Sequence, residues 1–231
     1  MPTALDLVDS AIADLEARLK LTPGASPGGE NKKANKKQQN NKGGGKPNKK
    51  GQQPAKQGKN EDQPDICKLE FKVGVITKVW NHPEADTLYC EEIDVGENAV
   101  RQIASGLRPH YTLEEMMGQR LLVVSNLKAK SLRNFKSHGM VLCAAEKNDD
   151  GSETVKFVEP PADAKVGEVV TFEGLPTPEP WSGAQVDKKK VFATCMEGMK
   201  TTDEGLAAWN GHVFKTSAGP CKSSLKNAVM R

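Results

Sequence analysis

Between Thr22 and Pro64 the chain carries almost no apolar side chain, only Gly, Pro, Asn, Gln and Lys with a few others. Such a stretch cannot offset the entropy of ordering and is expected to be disordered. Any hydrophobic core must therefore be built after residue 64. The stretch also holds ten lysines against Glu30, Glu61 and Asp62, whereas acids slightly outnumber bases from residue 65 onward. The formal charge of +3 thus lives in the tail. Lys32-Lys33, Lys36-Lys37 and Lys49-Lys50 read either as a solvated linker or as a polycation that holds RNA loosely, raising encounter rate without choosing sequence.

Ahead of this tract, Leu5, Val8, Ile12, Leu15 and Leu19 recur with the a/d spacing of two heptads, which predicts a helix over 3–20. Thr3 can cap it, with Asp6 near the positive helix end. So short a helix is marginal alone in water. It is expected to pack on a partner: a second copy or another protein.

From Asp65 the pattern becomes β. Leu69, Phe71, Val73 and Val75 alternate with polar residues or glycine, and Gly74 suggests a bend. A turn at 81–86 leads to a second strand whose Tyr89, Glu91, Ile93 and Val95 share one face. Val100 to Ser105 forms a third. A short helix follows, with Thr112 and Glu115 at capping-box spacing. Arg120 to Leu127 forms a fourth strand and Met140 to Ala145 a fifth, with more strand at Thr154–Val158 and Glu168–Phe172. One helix lodged between the third and fourth of several short strands predicts a mainly β, five-stranded OB-type barrel.

The loop between the fourth and fifth strands concentrates Lys128, Lys130, Arg133 and Lys136, interleaved with Asn126, Asn134 and Ser137 and without an acid. Cations attract phosphates, and amides and hydroxyls bond sugar or base edges. The candidate RNA contacts are Asn126, Lys128, Lys130, Arg133, Lys136 and Ser137, with Met140 and His82 behind them. Phe135, inside the loop, is the candidate stacking platform. Trp80 and Tyr89 are assigned to barrel packing, and Lys188-Lys189-Lys190 to a solvated run.

The composition excludes other classes. Cys67, Cys90, Cys143, Cys195 and Cys221 are odd in number, widely spaced and never in a Cys-x-x-Cys pair, which argues against a zinc site or a disulfide framework and for a reducing compartment. There is no Gly-rich phosphate loop, nucleophile elbow or pair of metal-spaced histidines, so no catalytic residue, cofactor or metal is assigned. No apolar run reaches the ~18 residues of a membrane span. The N-terminal stretch lacks a hydrophobic signal core, and a cytoplasmic location is expected.

The ordered motifs Leu69-Glu70-Phe71-Lys72-Val73-Gly74, His82-Pro83-Glu84-Ala85-Asp86-Thr87-Leu88-Tyr89, Ser105-Gly106-Leu107, Ser125-Asn126-Leu127-Lys128 and Ser137-His138-Gly139-Met140-Val141-Leu142 resemble the tRNA-binding OB domain. That domain occurs in endothelial-monocyte-activating polypeptide II, in the yeast cofactor of methionyl- and glutamyl-tRNA synthetases, and at the C-terminus of some synthetases. Residues 176–231 resemble the extension of the polypeptide II-like subgroup, with Trp181, Trp209 and Phe214 expected to anchor it on the barrel. Where the family usually has proline, methionine and glycine in the loop, this chain has Ala129, Leu132 and Asn134. Alanine frees φ and raises the entropy of ordering the loop. Asn134 can still adopt a left-handed conformation.

The resemblance implies a barrel that reads tRNA shape rather than sequence, and a monomeric core. The expected layout is a partner-binding helix over 1–22, a lysine-rich linker over 23–64, the OB domain over 65–175 and the extension over 176–231. The expected function is non-catalytic: an auxiliary factor that delivers or retains tRNA for an aminoacyl-tRNA synthetase bound through the first helix. The alternative is a cytokine-like or scaffold module released by cleavage in the linker.

Overall fold

A computed structural model describes residues 62–231. The helix expected over 3–20 and the lysine-rich tract through Glu61 lie outside the described residues. Gln63, assigned above to the linker, is buried: its amide donates to the Glu179 carbonyl (2.8 Å) and accepts from the Glu179 N–H (3.1 Å).

A 3-10 turn, Asp65–Lys68, leads into β1 (Phe71–Asn81). Then come β2 (Tyr89–Asp94), β3 (Arg101–Ser105), a one-turn helix Leu113–Met116 and β4 (Arg120–Val124). The helix begins in the capping box that Thr112 and Glu115 predict. A small hairpin, β5 (Lys130–Leu132) and β6 (Phe135–Ser137), precedes β7 (Met140–Val141), β8 (Cys143–Lys147), β9 (Glu153–Phe157) and β10 (Thr171–Phe172).

The sheet β3-β2-β1-β4-β7 curls into a nearly closed five-stranded barrel. Closure is made at the end of β6: the His138 N–H donates to the Gln102 carbonyl (2.8 Å), and the Ser137 hydroxyl accepts from the Ala104 N–H (3.1 Å). Pairing of β1 with β4 continues in register through Gly74. The register shift falls between Ile76 and Lys78. Glycine is needed at 74 because a Cβ would meet the Ile93 Cγ2 at 2.8 Å. The fifth strand is also not continuous. Leu142 breaks it, so that β7 stays in the barrel sheet while β8 joins another.

β4 explains why its sequence is apolar at every position after Arg120 rather than alternating. Leu121 and Val123 enter the barrel core with Ile76, Ile93 and Ile103. Leu122 and Val124 face the opposite way, into a second core shared with the C-terminal residues. A strand buried on both faces loses the polar half of its pattern.

That second core is built by helices Gly183–Lys188 and Val191–Met196 and by β11 (Met199–Thr201), β12 (Ala207–Trp209), β13 (His212–Thr216), β14 (Gly219–Pro220) and β15 (Val229–Met230). The sheet order β10-β13-β12-β11-β15-β8-β9 makes one continuous surface of barrel and C-terminal strands. Phe214 anchors it, edge-on to Phe71 (5.1 Å between centroids) and Phe172 (4.9 Å). Each fully buried ring contributes about 1.5–3 kcal/mol through area alone. Trp181 is buried under the Lys68 ammonium, 4.6 Å from its ring. All five cysteines are free and buried, and burial raises the thiols, Cys143, Cys195 and Cys221 to about 12, so they pack as neutral apolar groups. No described helix is long and apolar enough to cross a membrane.

Candidate nucleic-acid interface

The polar loop between β4 and β7 is not irregular. It folds into the β5–β6 hairpin, whose two-residue turn puts Arg133 at φ 45° and Asn134 at φ 65°. Two successive left-handed residues match the twist of a tight hairpin, and asparagine bears that conformation at low cost. An arginine there is less expected, and nothing in its sequence context announces it.

The hairpin leans on the β1–β2 loop. The Glu84 N–H donates to Nδ1 of His82 (3.0 Å), so Nδ1 carries no proton and Nε2–H donates to the Leu132 carbonyl at 3.1 Å. Asn134 Nδ2 donates to Glu84 Oε2 (2.9 Å). The Phe135 ring lies edge-on to Trp80 (6.0 Å) and His82 (6.1 Å).

At the hairpin's base Arg101 acts as a clamp. One guanidinium nitrogen donates to the Ser125 and His138 carbonyls, the two points where the chain leaves and re-enters the barrel. Glu97 holds the other side of the guanidinium, through Nε (2.8 Å) and Nη2 (2.6 Å), and the Lys72 ammonium lies 2.9 Å away. Hydrogen bonding to Arg101, with Lys72 adding to it, pulls the Glu97 carboxyl down to about 2. In the sequence Arg101 is simply the start of a strand. Only the fold brings Ser125 and His138 to it.

The nine candidate residues divide by what their polar atoms already do. Asn126 is saturated: Nδ2 donates to the Lys68 and Trp181 carbonyls (2.9 Å each), and Oδ1 accepts from the Glu70 N–H (2.9 Å). Ser137 is buried and bonded to Ala104 and to Gly139, and His82 is buried and bonded as described. These three candidates have their donors and acceptors engaged within the protein and help hold the frame. Lys128 is exposed but pairs with Asp187 (3.3 Å) of the C-terminal helix. Lys130, Arg133 and Lys136 are exposed and form no ion pair among the described residues. Phe135 and Met140 are half-buried, each with a face toward solvent. Three exposed cations without an ion pair among the described residues, on a hairpin beside an aromatic ring, can bind phosphates and stack a base.

Residues 71–169 match the family model described as "Putative tRNA binding domain". The chain is similar to the cytoplasmic methionine–tRNA ligase of Arabidopsis thaliana, 41% identical over 199 residues that make up 86% of this chain and 24% of that protein. It is 34% identical over 160 residues to aminoacyl tRNA synthase complex-interacting multifunctional protein 1 of Mus musculus, covering 69% of this chain and 49% of the relative. It thus matches less than half the length of either. Among solved structures, the C-terminal domain of Plasmodium vivax p43 superposes with a TM-score of 0.66 at 34% identity, covering 72% of this chain and 98% of that one.

Proposed function

The chain belongs to the tRNA-binding domain family, and from that premise we propose that it is a non-catalytic auxiliary factor that retains or delivers tRNA for an aminoacyl-tRNA synthetase. The observation that carries the reading is the trio Lys130, Arg133 and Lys136, left without counter-ions among the described residues on a hairpin held in place by His82, Ser137 and Arg101. Phe135 and Met140 supply apolar faces beside them, and Lys128 joins once tRNA competes with Asp187. A fixed constellation of this kind selects a folded backbone shape rather than a base sequence. The lysine-rich segment before residue 65 adds sequence-independent attraction. A helix over 3–20 would tether the protein to its synthetase in the cytoplasm, raising the local tRNA concentration without new contacts.

The test is an electrophoretic shift of the full chain with tRNA against single-stranded and double-stranded RNA of similar length. Tighter binding of tRNA is expected. Equal affinity for all three overturns the shape-selective reading, and turnover of labelled tRNA overturns the non-catalytic one.

A further inference from the structure

Helices Gly183–Lys188 and Val191–Met196 stand across from the hairpin, and between them lies a cavity of about 360 Å3. Its floor is apolar and composite: Leu127 comes from the segment after β4, Met140 from β7, Leu132 from the hairpin, Val186 and Phe192 from the helices. Its rim is cationic. Lys130 and Lys190 both line it, and neither forms an ion pair among the described residues. Lys190 links the two helices in a left-handed conformation, φ 54°. The Lys128–Asp187 pair bridges hairpin base and helix at the same rim.

The width of the cavity is set by backbone. A Cβ on Gly183 would lie 3.0 Å from the Asn126 carbonyl oxygen and the Lys128 nitrogen, so the first helix sits as close to the 126–128 segment as a glycine allows. At the small end of ligand-site volumes, the space fits one flat ring and its sugar. An apolar floor under two free ammonium groups matches a nucleotide, whose base seeks apolar or aromatic surface and whose phosphate seeks cations. An apolar peptide side chain would use only the floor, and a free phosphate only the rim.

We infer that this cavity receives a single unpaired nucleobase of the RNA bound on the hairpin, so that the C-terminal helices are part of the RNA site. The inference rests on the tRNA-binding reading, and the test separates the two. Binding of tRNA, a single-stranded oligouridylate 12-mer and an abasic 12-mer is measured with the full chain, with Ala193→Phe, which fills the cavity from an exposed position, and with Leu132→Asp, which puts an acid in its floor. The wild-type chain is expected to prefer the base-bearing oligomer by about tenfold, the scale of one stacked base. Both variants should bring that ratio toward one with an unchanged circular dichroism spectrum. A wild-type ratio of one with tRNA still bound overturns the inference, leaves the cavity to another occupant such as a peptide side chain, and leaves the tRNA reading standing. A tenfold ratio that survives in both variants places the base elsewhere and also overturns it. Failure to bind any RNA removes the tRNA reading itself.

Discussion

Nε2 of His82 stands 3.1 Å from the carbonyl oxygen of Leu132, joining a buried imidazole in the β1–β2 loop to the hairpin that carries the exposed cations. Replacing it by alanine removes the acceptor of the Glu84 N–H and a donor to the Leu132 carbonyl. His82→Ala should lower stability by about 1–3 kcal/mol and speed amide exchange in 130–137. With the hairpin no longer held ready, tRNA affinity should fall severalfold. Urea titration, hydrogen exchange and a tRNA binding curve check this; fast exchange with wild-type affinity would remove preorganisation from the account.

Arg133 allows charge to be separated from shape. Its φ of 45° suits glycine, so Arg133→Gly deletes the guanidinium while favouring the turn. Affinity for tRNA should drop, and the slope of log K against log salt should become shallower by about 0.7–0.9, one phosphate contact. Titrations at four salt concentrations measure it. An unchanged slope means that Arg133 contacts no phosphate.

Asn126 should behave as a structural residue. Asn126→Ala leaves the Glu70 N–H and the Trp181 carbonyl without their partner, while the Lys68 carbonyl keeps the Trp181 N–H, and a loss of about 2 kcal/mol or more is expected. The binding constant measured well below the lowered melting temperature should stay near wild type. A large binding defect in a fully folded variant would return Asn126 to the RNA contacts.

Glu91 and Glu97 should give stability opposite pH dependences. Glu91 is fully buried, accepts a bond from the Ser105 hydroxyl, and has a second oxygen with no partner. Burial pushes its carboxyl up to about 8, with the Ser105 bond opposing that. The folded state therefore holds a proton that the unfolded state releases near 4.5, and stability should fall between roughly pH 4.5 and 8 by up to about 1.4 kcal/mol per unit. Glu91→Gln should flatten that slope and raise stability at pH 8. Glu97, held down at about 2, contributes stability above its unfolded value that is lost as pH falls toward 2. Urea midpoints from pH 3 to 9 for the wild type and Glu91→Gln test both signs; parallel curves would show Glu91 ionised in the fold.

Local pattern was enough for much of the barrel, because strand alternation and capping are encoded by neighbours in sequence. The alternation of Tyr89, Glu91, Ile93 and Val95 placed even the buried carboxyl on the inner face. The basic character of 128–136 was equally plain, since charge needs no partner to be counted. Strand ends were less legible: β4 stops at Val124 and Leu142 splits the fifth strand, because sheet pairing rather than propensity decides where each ends.

The sequence alone, then, determined which residues could form strands, which could not enter a core, and where the cations cluster. Tertiary structure decided which polar groups remain available. Asn126, Ser137 and His82 share the chemistry of RNA contacts, but partners 33 to 58 positions away occupy them. It also brought Arg101 to the hairpin's base and Lys190 to its flank. Hydrogen-bond saturation and ion pairing are properties of groups meeting across the fold, so a linear pattern can name the candidates and only their packing can choose among them.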